Sequence, residues 1–139
     1  MRLRKDAKVE LLKKVPLFAR LDNRALQDVA HIADEIDLPA GKEMATEGDR
    51  GREFVVLLEG EAEVTKGGKR INTMKDGDFF GEIALVTKMP RTANVTATTG
   101  VHALVITERA FDALVKKSPQ VARGVAEALA ERLAPELPV

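Results

Sequence analysis

Hydrophobic positions along the chain change their period twice, helical at both ends and strand-like between. Near the start, Val9, Leu12 and Val15 fall on one helical face, and Pro16 stops that segment. Asp22 or Asn23 is placed to cap a second helix whose apolar side is Leu26, Val29, Ala30 and Ala33. From Ile36 to about Ile106 turn chemistry recurs, at Pro39-Ala40-Gly41, Gly48-Asp49-Arg50-Gly51, Glu59-Gly60, Gly67-Gly68 and Asp76-Gly77-Asp78. The stretches between are short and apolar, such as Phe54 to Leu58 and Ala62-Glu63-Val64, and many short strands at this spacing predict a barrel or jelly roll. After Val101 to Ile106, Thr107 is placed to cap a helix carrying Phe111, Leu114 and Val115. Ser118-Pro119 reads as an N-cap followed by proline at the first helical position. A last helix sets Val121, Val125, Leu129 and Leu133 four residues apart and ends before Pro135.

Composition narrows the function classes. The 139 residues suit one domain, with 45% hydrophobic and 32% charged residues. Lys plus Arg equal Asp plus Glu at 22 each, so no net charge draws the chain to nucleic acid or an anionic membrane. An anionic ligand has to be held locally. The chain has no cysteine, which excludes a disulfide framework and thiolate metal sites. The N-terminus, Met1-Arg2-Leu3-Arg4-Lys5, carries charge where a signal peptide needs its apolar stretch, and no apolar run approaches membrane-spanning length. The expected location is the cytoplasm, with no membrane segment.

The chemistry concentrates between Gly77 and Ala93. Gly81 lets the backbone approach a ligand, and Glu82-Ile83-Ala84-Leu85 is placed to begin a short helix with its free amides toward negative charge. Arg91 supplies a permanent charge in a planar fork suited to two phosphate oxygens, and Thr92 adds a hydroxyl donor. A carboxylate in such a site faces a neutral donor rather than the phosphate, and a ribose 2′-hydroxyl is one that fits Glu82. These groups together describe phosphate joined to ribose.

Phe80-Gly81-Glu82-Ile83-Ala84-Leu85, a short spacer, and Pro90-Arg91-Thr92-Ala93 resemble the phosphate-binding cassette of the cyclic nucleotide-binding domain family. The segment is similar to the cassettes of protein kinase A regulatory subunits and, less closely, of catabolite activator proteins. The resemblance implies a mainly β fold with flanking helices: an eight-stranded β-roll, or jelly roll, between N-terminal helices and two C-terminal helices. It divides residues 1–139 into N-terminal helices at 1–35, a β-roll at 36–106 with its cassette at 79–93, and C-terminal helices at 107–134. It assigns the cyclic phosphate to Arg91, Thr92, Ala84 and Ile83, and the ribose to Glu82 and Gly81. It makes Leu129, Arg132 and Leu133 a ligand lid. Position 92 departs from the kinase-type cassette, where alanine is usual; threonine there is associated with cGMP-responsive members. The breadth of bacterial-type use that the resemblance implies makes cAMP the expected ligand, with cGMP as the alternative that Thr92 supports. No cofactor is expected beyond that ligand.

Plainer readings exist for each feature. An arbitrary acid and arginine nine positions apart are a surface ion pair, Gly81 alone a turn glycine, and Val121, Val125, Leu129 and Leu133 core residues or a dimer seam. The register of the whole segment favours the cassette. A metalloenzyme of cupin type needs clustered histidines and carboxylates, whereas His31 and His102 stand far apart and read as ordinary structural or surface residues. Direct DNA recognition is not expected, since no helix-turn-helix follows the last helix. The expected role is a regulatory sensor rather than an enzyme, acting on a protein partner or a fused effector domain. A domain of the same fold that binds no nucleotide and serves protein interaction is the remaining rival.

Overall fold

The computed structural model describes residues 3–133, with the side chains of residues 132 and 133 excepted. The chain forms two compact units, the helical segments up to residue 32 and from residue 109 onward, and the strand region Ala33–Glu108.

In the helical unit, α1 spans Lys5–Leu12 and a 3-10 turn spans Pro16–Phe18. Val15 is buried as the pattern expects, but it lies outside the helix in an extended conformation (φ −81°, ψ 122°). The reason is steric: the ring of Pro16 disfavours helical geometry at the residue before it. Helix α2 spans Asn23–His31, and Asp22 is its cap, the carboxylate accepting from the Ala25 amide at 2.8 Å. Helix α4 spans Glu108–Lys117, and α5 spans Pro119–Leu133 with the Ser118 hydroxyl accepting from the Val121 amide at 3.2 Å. Phe18 and Phe111 meet with ring centroids 6.3 Å apart. Gly124 lets α5 pass close to Leu21, since a Cβ at position 124 would stand 2.4 Å from a Leu21 methyl carbon. An Arg20–Glu131 ion pair lies further along the same helix. Of the apolar stripe on α5, Val121 and Val125 are buried and Leu129 is half-buried.

The strand unit holds β1 (Asp34–Leu38), β2 (Glu43–Ala45), β3 (Glu53–Glu59), β4 (Ala62–Lys66), β5 (Lys69–Met74), β6 (Phe79–Phe80), β7 (Asn94–Ala97) and β8 (Val101–Thr107), with the short helix α3 (Ala84–Thr87) after β6. All pairings are antiparallel and give two four-stranded sheets, ordered β1-β8-β3-β6 and β2-β7-β4-β5. This is the jelly-roll architecture that the turn spacing predicts. The glycines at 41, 48, 60, 67, 68 and 77 all turn with positive φ, which is why the strands between them stay short. Alternate residues meet inside: Val55 and Leu57 of β3, Ala62 of β4, Val95 and Ala97 of β7, and Val101, Ala103 and Val105 of β8. Phe54 and Val56, pointing the other way, are buried too, so β3 reads as a continuous apolar run. Among the described residues no helix is long and apolar enough to cross a membrane.

On the face of β8 opposite that core, His102 sits between two acids of β1. Its Nδ1 is 2.7 Å from an Asp37 carboxylate oxygen and its Nε2 is 2.8 Å from one of Glu35. Both contacts are hydrogen bonds only when both ring nitrogens carry hydrogen, that is, when the ring is an imidazolium. Hydrogen bonding to Asp37 and then to Glu35 raises the histidine pKa, against a smaller opposing effect of burial. A raised folded-state pKa stabilises the fold fully below the unfolded value of about 6.5 and loses that contribution as pH rises through the folded value. Thermal melts of the parent chain and His102→Gln should therefore differ most near pH 6 and converge by about pH 9. A difference that stays constant across that range would show that the ring does not act as a cation.

Candidate ligand-binding site

The segment 79–93 leaves one sheet and returns to the other. Phe79 and Phe80 pair with Val56 and Val55 of β3, and the Phe79 ring packs edge-on against Phe54 at 5.9 Å. Gly81 then turns the chain with φ 87°, a left-handed conformation that favours glycine. Helix α3 begins at Ala84 rather than at Glu82, and Leu85 is the first residue of this turn whose amide donates back, to the Glu82 carbonyl at 3.3 Å. The amides of Ile83 and Ala84 thus lie ahead of the helical hydrogen bonds, at the positive end of the turn. Lys88 closes α3 in a left-handed conformation (φ 59°). Pro90 is bridged to Arg50, the Arg91 amide donates to the Asp49 carbonyl at 2.7 Å, and the Gly48 amide donates to the Arg91 carbonyl at 2.9 Å. The backbone of Arg91 is therefore strapped to the loop 48–50.

The Arg91 side chain is half-buried in a slot made by residues far from it in sequence. One of its terminal nitrogens, Nη2, donates to the Glu53 carbonyl at 2.6 Å, and its guanidinium carbon stands 5.4 Å from the centroid of the Phe80 ring. Two glycines make room for it. A Cβ on Gly51 would fall 2.3 Å from the guanidinium carbon, and one on Gly81 would fall 2.4 Å from Nη1 and 2.5 Å from the Glu53 carbonyl oxygen. Burial pulls the arginine pKa below its ordinary value, while the charge of Glu53 acts in the opposite direction. Arginine starts so high that the group stays cationic at neutral pH.

Glu82 is buried, at 8% exposure. It and Arg91 line a single cavity of about 740 Å³, a size suited to a small organic ligand. Gly81, Ile83, Ala84 and Thr92 line the same cavity, so all six residues singled out within the cassette come together there. Thr92 is exposed, and Ala45, Val64, Met74 and Val95 supply apolar wall. The cavity thus offers one cation, the carboxylates of Glu82 and Asp78, and an apolar surface. Leu129 lies on α5 in the helical unit, outside the cavity lining, and the side chains of Arg132 and Leu133 lie outside the described residues.

Sequence reasoning misses Gly51, Glu53 and the stacking role of Phe80. Gly51 stands within a run that reads as a turn, and only the arginine forty positions later explains why no side chain fits there. The hydrogen bond from Arg91 goes to the Glu53 carbonyl, which leaves no trace in residue identity; only the charge of Glu53 depends on its side chain.

The model of the family described as "Cyclic nucleotide-binding domain" matches residues 35–118. A cAMP-dependent protein kinase regulatory subunit of Eremothecium gossypii is 36% identical over 118 residues, covering 82% of this chain and 25% of that protein. One from Emericella nidulans is 40% identical over 92 residues, covering 65% and 22% respectively. This chain accordingly spans about a quarter of the length of such relatives. Among solved structures, the N-terminal domain of a transcriptional regulator from Streptomyces coelicolor superposes with a TM-score of 0.80 at 28% identity, covering 91% of this chain and 94% of that one. The regulatory domain of Toxoplasma gondii PKA with cAMP superposes with a TM-score of 0.70 at 28% identity, covering 79% and 44%. With its fold, its cassette and its matched span in agreement, this chain belongs to the cyclic nucleotide-binding domain family.

Proposed function

We propose that the chain binds a 3′,5′-cyclic nucleotide, cAMP in preference, and reports occupancy as a regulatory module without catalysing a reaction. The observation that carries this reading is the Arg91 guanidinium, oriented by Glu53, Phe80 and two glycines at the wall of a cavity that Glu82 shares. A pre-oriented cation fits the cyclic phosphate, and the amides of Ile83 and Ala84 with the Thr92 hydroxyl add neutral donors beside it. Glu82, with Gly81 giving it close access, fits the ribose 2′-hydroxyl. The apolar wall suits the face of a purine. The relatives named as regulatory subunits of a cAMP-dependent kinase and the neighbour described with cAMP support cAMP as the ligand. A second reading, cGMP preference, rests on Thr92, whose exposed hydroxyl lines the cavity. The output goes to a protein partner or fused effector in the cytoplasm, with α5 carrying the signal and Leu129, Arg132 and Leu133 as its ligand-responsive residues. The domain itself is taken to run from 1 to 139, with its β-roll at 36–106.

Calorimetric titration with cAMP and cGMP tests the proposal: cAMP should bind at low-micromolar dissociation constants or tighter, and absence of heat and thermal shift with both nucleotides would refute it. Arg91→Ala should cost about 2–5 kcal/mol of binding, the loss seen when one partner of a desolvated charge pair is removed. Glu82→Ala should cost about 1–3 kcal/mol, and 2′-deoxy-cAMP should lose a similar amount against the parent chain. Thr92→Ala should weaken cGMP more than cAMP, since cAMP loses only the hydroxyl donor beside the phosphate.

Gly51→Ala separates the slot from the fold. The three atoms nearest the new methyl group all belong to the flexible arginine, so Arg91 has to swing out of its place while the strands stay as they are. We expect cAMP affinity to fall at least tenfold with the thermal midpoint nearly unchanged. Unaltered affinity would mean that the observed pose of Arg91 is not the binding pose. Hydrogen exchange with and without cAMP checks the output: added protection across 79–93 together with a change across 119–133 is expected, and an unaffected α5 would remove that helix from the mechanism.

A further inference from the structure

Residues 50–53 lead into β3, and their contacts alternate between two sides. Gly51 and the Glu53 carbonyl face Arg91, as described above. Arg50 and the Arg52 carbonyl instead face Glu108, the residue where the chain leaves β8. The Glu108 carboxylate accepts from Arg50 Nη2 at 2.6 Å, and its amide donates to the Arg52 carbonyl at 2.7 Å. The same carboxylate oxygen lies 3.6 Å from the Lys88 ammonium, which also donates to the Leu85 carbonyl at 2.9 Å. Glu108 therefore grips both chain segments that hold Arg91: the loop strapped to its backbone, through Arg50, and the turn three residues before it, through Lys88.

The grip has an energetic oddity. The Glu108 side chain is only 16% exposed, and both cations contact one of its oxygens. The second oxygen, Oε2, is buried with no hydrogen-bond partner among the described residues. A buried carboxylate with an unused oxygen is costly, and an apolar side chain at this position would avoid that cost. What the carboxylate supplies in return is charge. Arg50 belongs to the loop strapped to the Arg91 backbone and Lys88 stands three residues before it, and the Lys88 turn is the one place where a residue other than glycine takes positive φ among the described residues.

We infer that Glu108 is a positioning residue for the anion site: it neutralises Arg50 and Lys88 and pins the left-handed turn at Lys88, so that Arg91 is held in its slot before the ligand arrives. This rests on the cyclic nucleotide reading only for the ligand. The placement of Arg91 is a property of the free chain.

The test pairs an affinity with a ligand-free readout. In Glu108→Gln, cAMP affinity by calorimetry should fall roughly tenfold, the size expected when one member of a coupled charge cluster is neutralised. The side-chain Nε–Hε resonance of Arg91 should shift or broaden in the free protein. Because Glu108 acts through its partners, Arg50→Gln/Glu108→Gln should lose much less than the sum of the two single losses. Should Glu108→Gln fail to fold, Lys88→Gln and Arg50→Gln carry the same two measurements. Unchanged affinity with an unmoved Arg91 resonance overturns the inference. So does a loss of affinity that only tracks loss of folded protein while that resonance stays in place. If the parent chain binds no cyclic nucleotide but the resonance still moves in Glu108→Gln, the functional reading falls and the positioning role stands.

Discussion

A permanent cation set into a protein wall loses water that has to be replaced. At Arg91 the replacement is specific: a backbone carbonyl accepts one guanidinium nitrogen, an aromatic ring lies beside the plane, and the rest of the space is cleared by missing side chains. The same residue lines the cavity. Much of the strand unit can be understood as the frame that holds this arrangement, because a long flexible side chain surrenders rotamer freedom only where its surroundings leave it one place to go.

β3 does most of the holding. Its first residue supplies the carbonyl for Arg91, its middle pairs with Phe79 and Phe80, and its opposite edge pairs with β8 along nearly its whole length. It is buried on both faces, which makes it a poor candidate for movement and a good fixed reference. β6, by contrast, is two residues long, so the cassette hangs from a rigid strand by a short attachment. Rigidity at the anchor and brevity at the attachment suit a site whose charge is fixed but whose connecting turn has room to adjust.

The sequence made the architecture legible because strands this short need a turn at each end, and turns have residue signatures. Pro16, Asp22 and Ser118-Pro119 mark helix ends through chemistry that acts over three or four residues, and the structure uses each of them. The cassette was legible for the same reason, its glycine, acid and arginine lying within one short segment. What escaped were relations that no local pattern encodes. Gly51 matters through an arginine forty residues away, and the hydrogen bond that Glu53 offers comes from a carbonyl that any residue would possess. His102 reads as isolated along the chain, yet strand pairing sets Asp37 opposite it and Glu35 two residues along. Val15 shows the reverse error: its burial follows from hydrophobic spacing, whereas its backbone follows from the proline after it.

The two glycines of the arginine slot differ in what binds them to their identity. Gly81 is confined by its left-handed backbone, by the Glu53 carbonyl and by Arg91, whereas the nearest neighbours of a Cβ on Gly51 all belong to Arg91. A descendant of this chain that shortened position 91 would clear the nearest obstacle to a side chain at position 51, while Gly81 stayed confined. Drift at position 51 is thus a fossil mark of lost anion binding, and it is written outside the motif by which such domains are found.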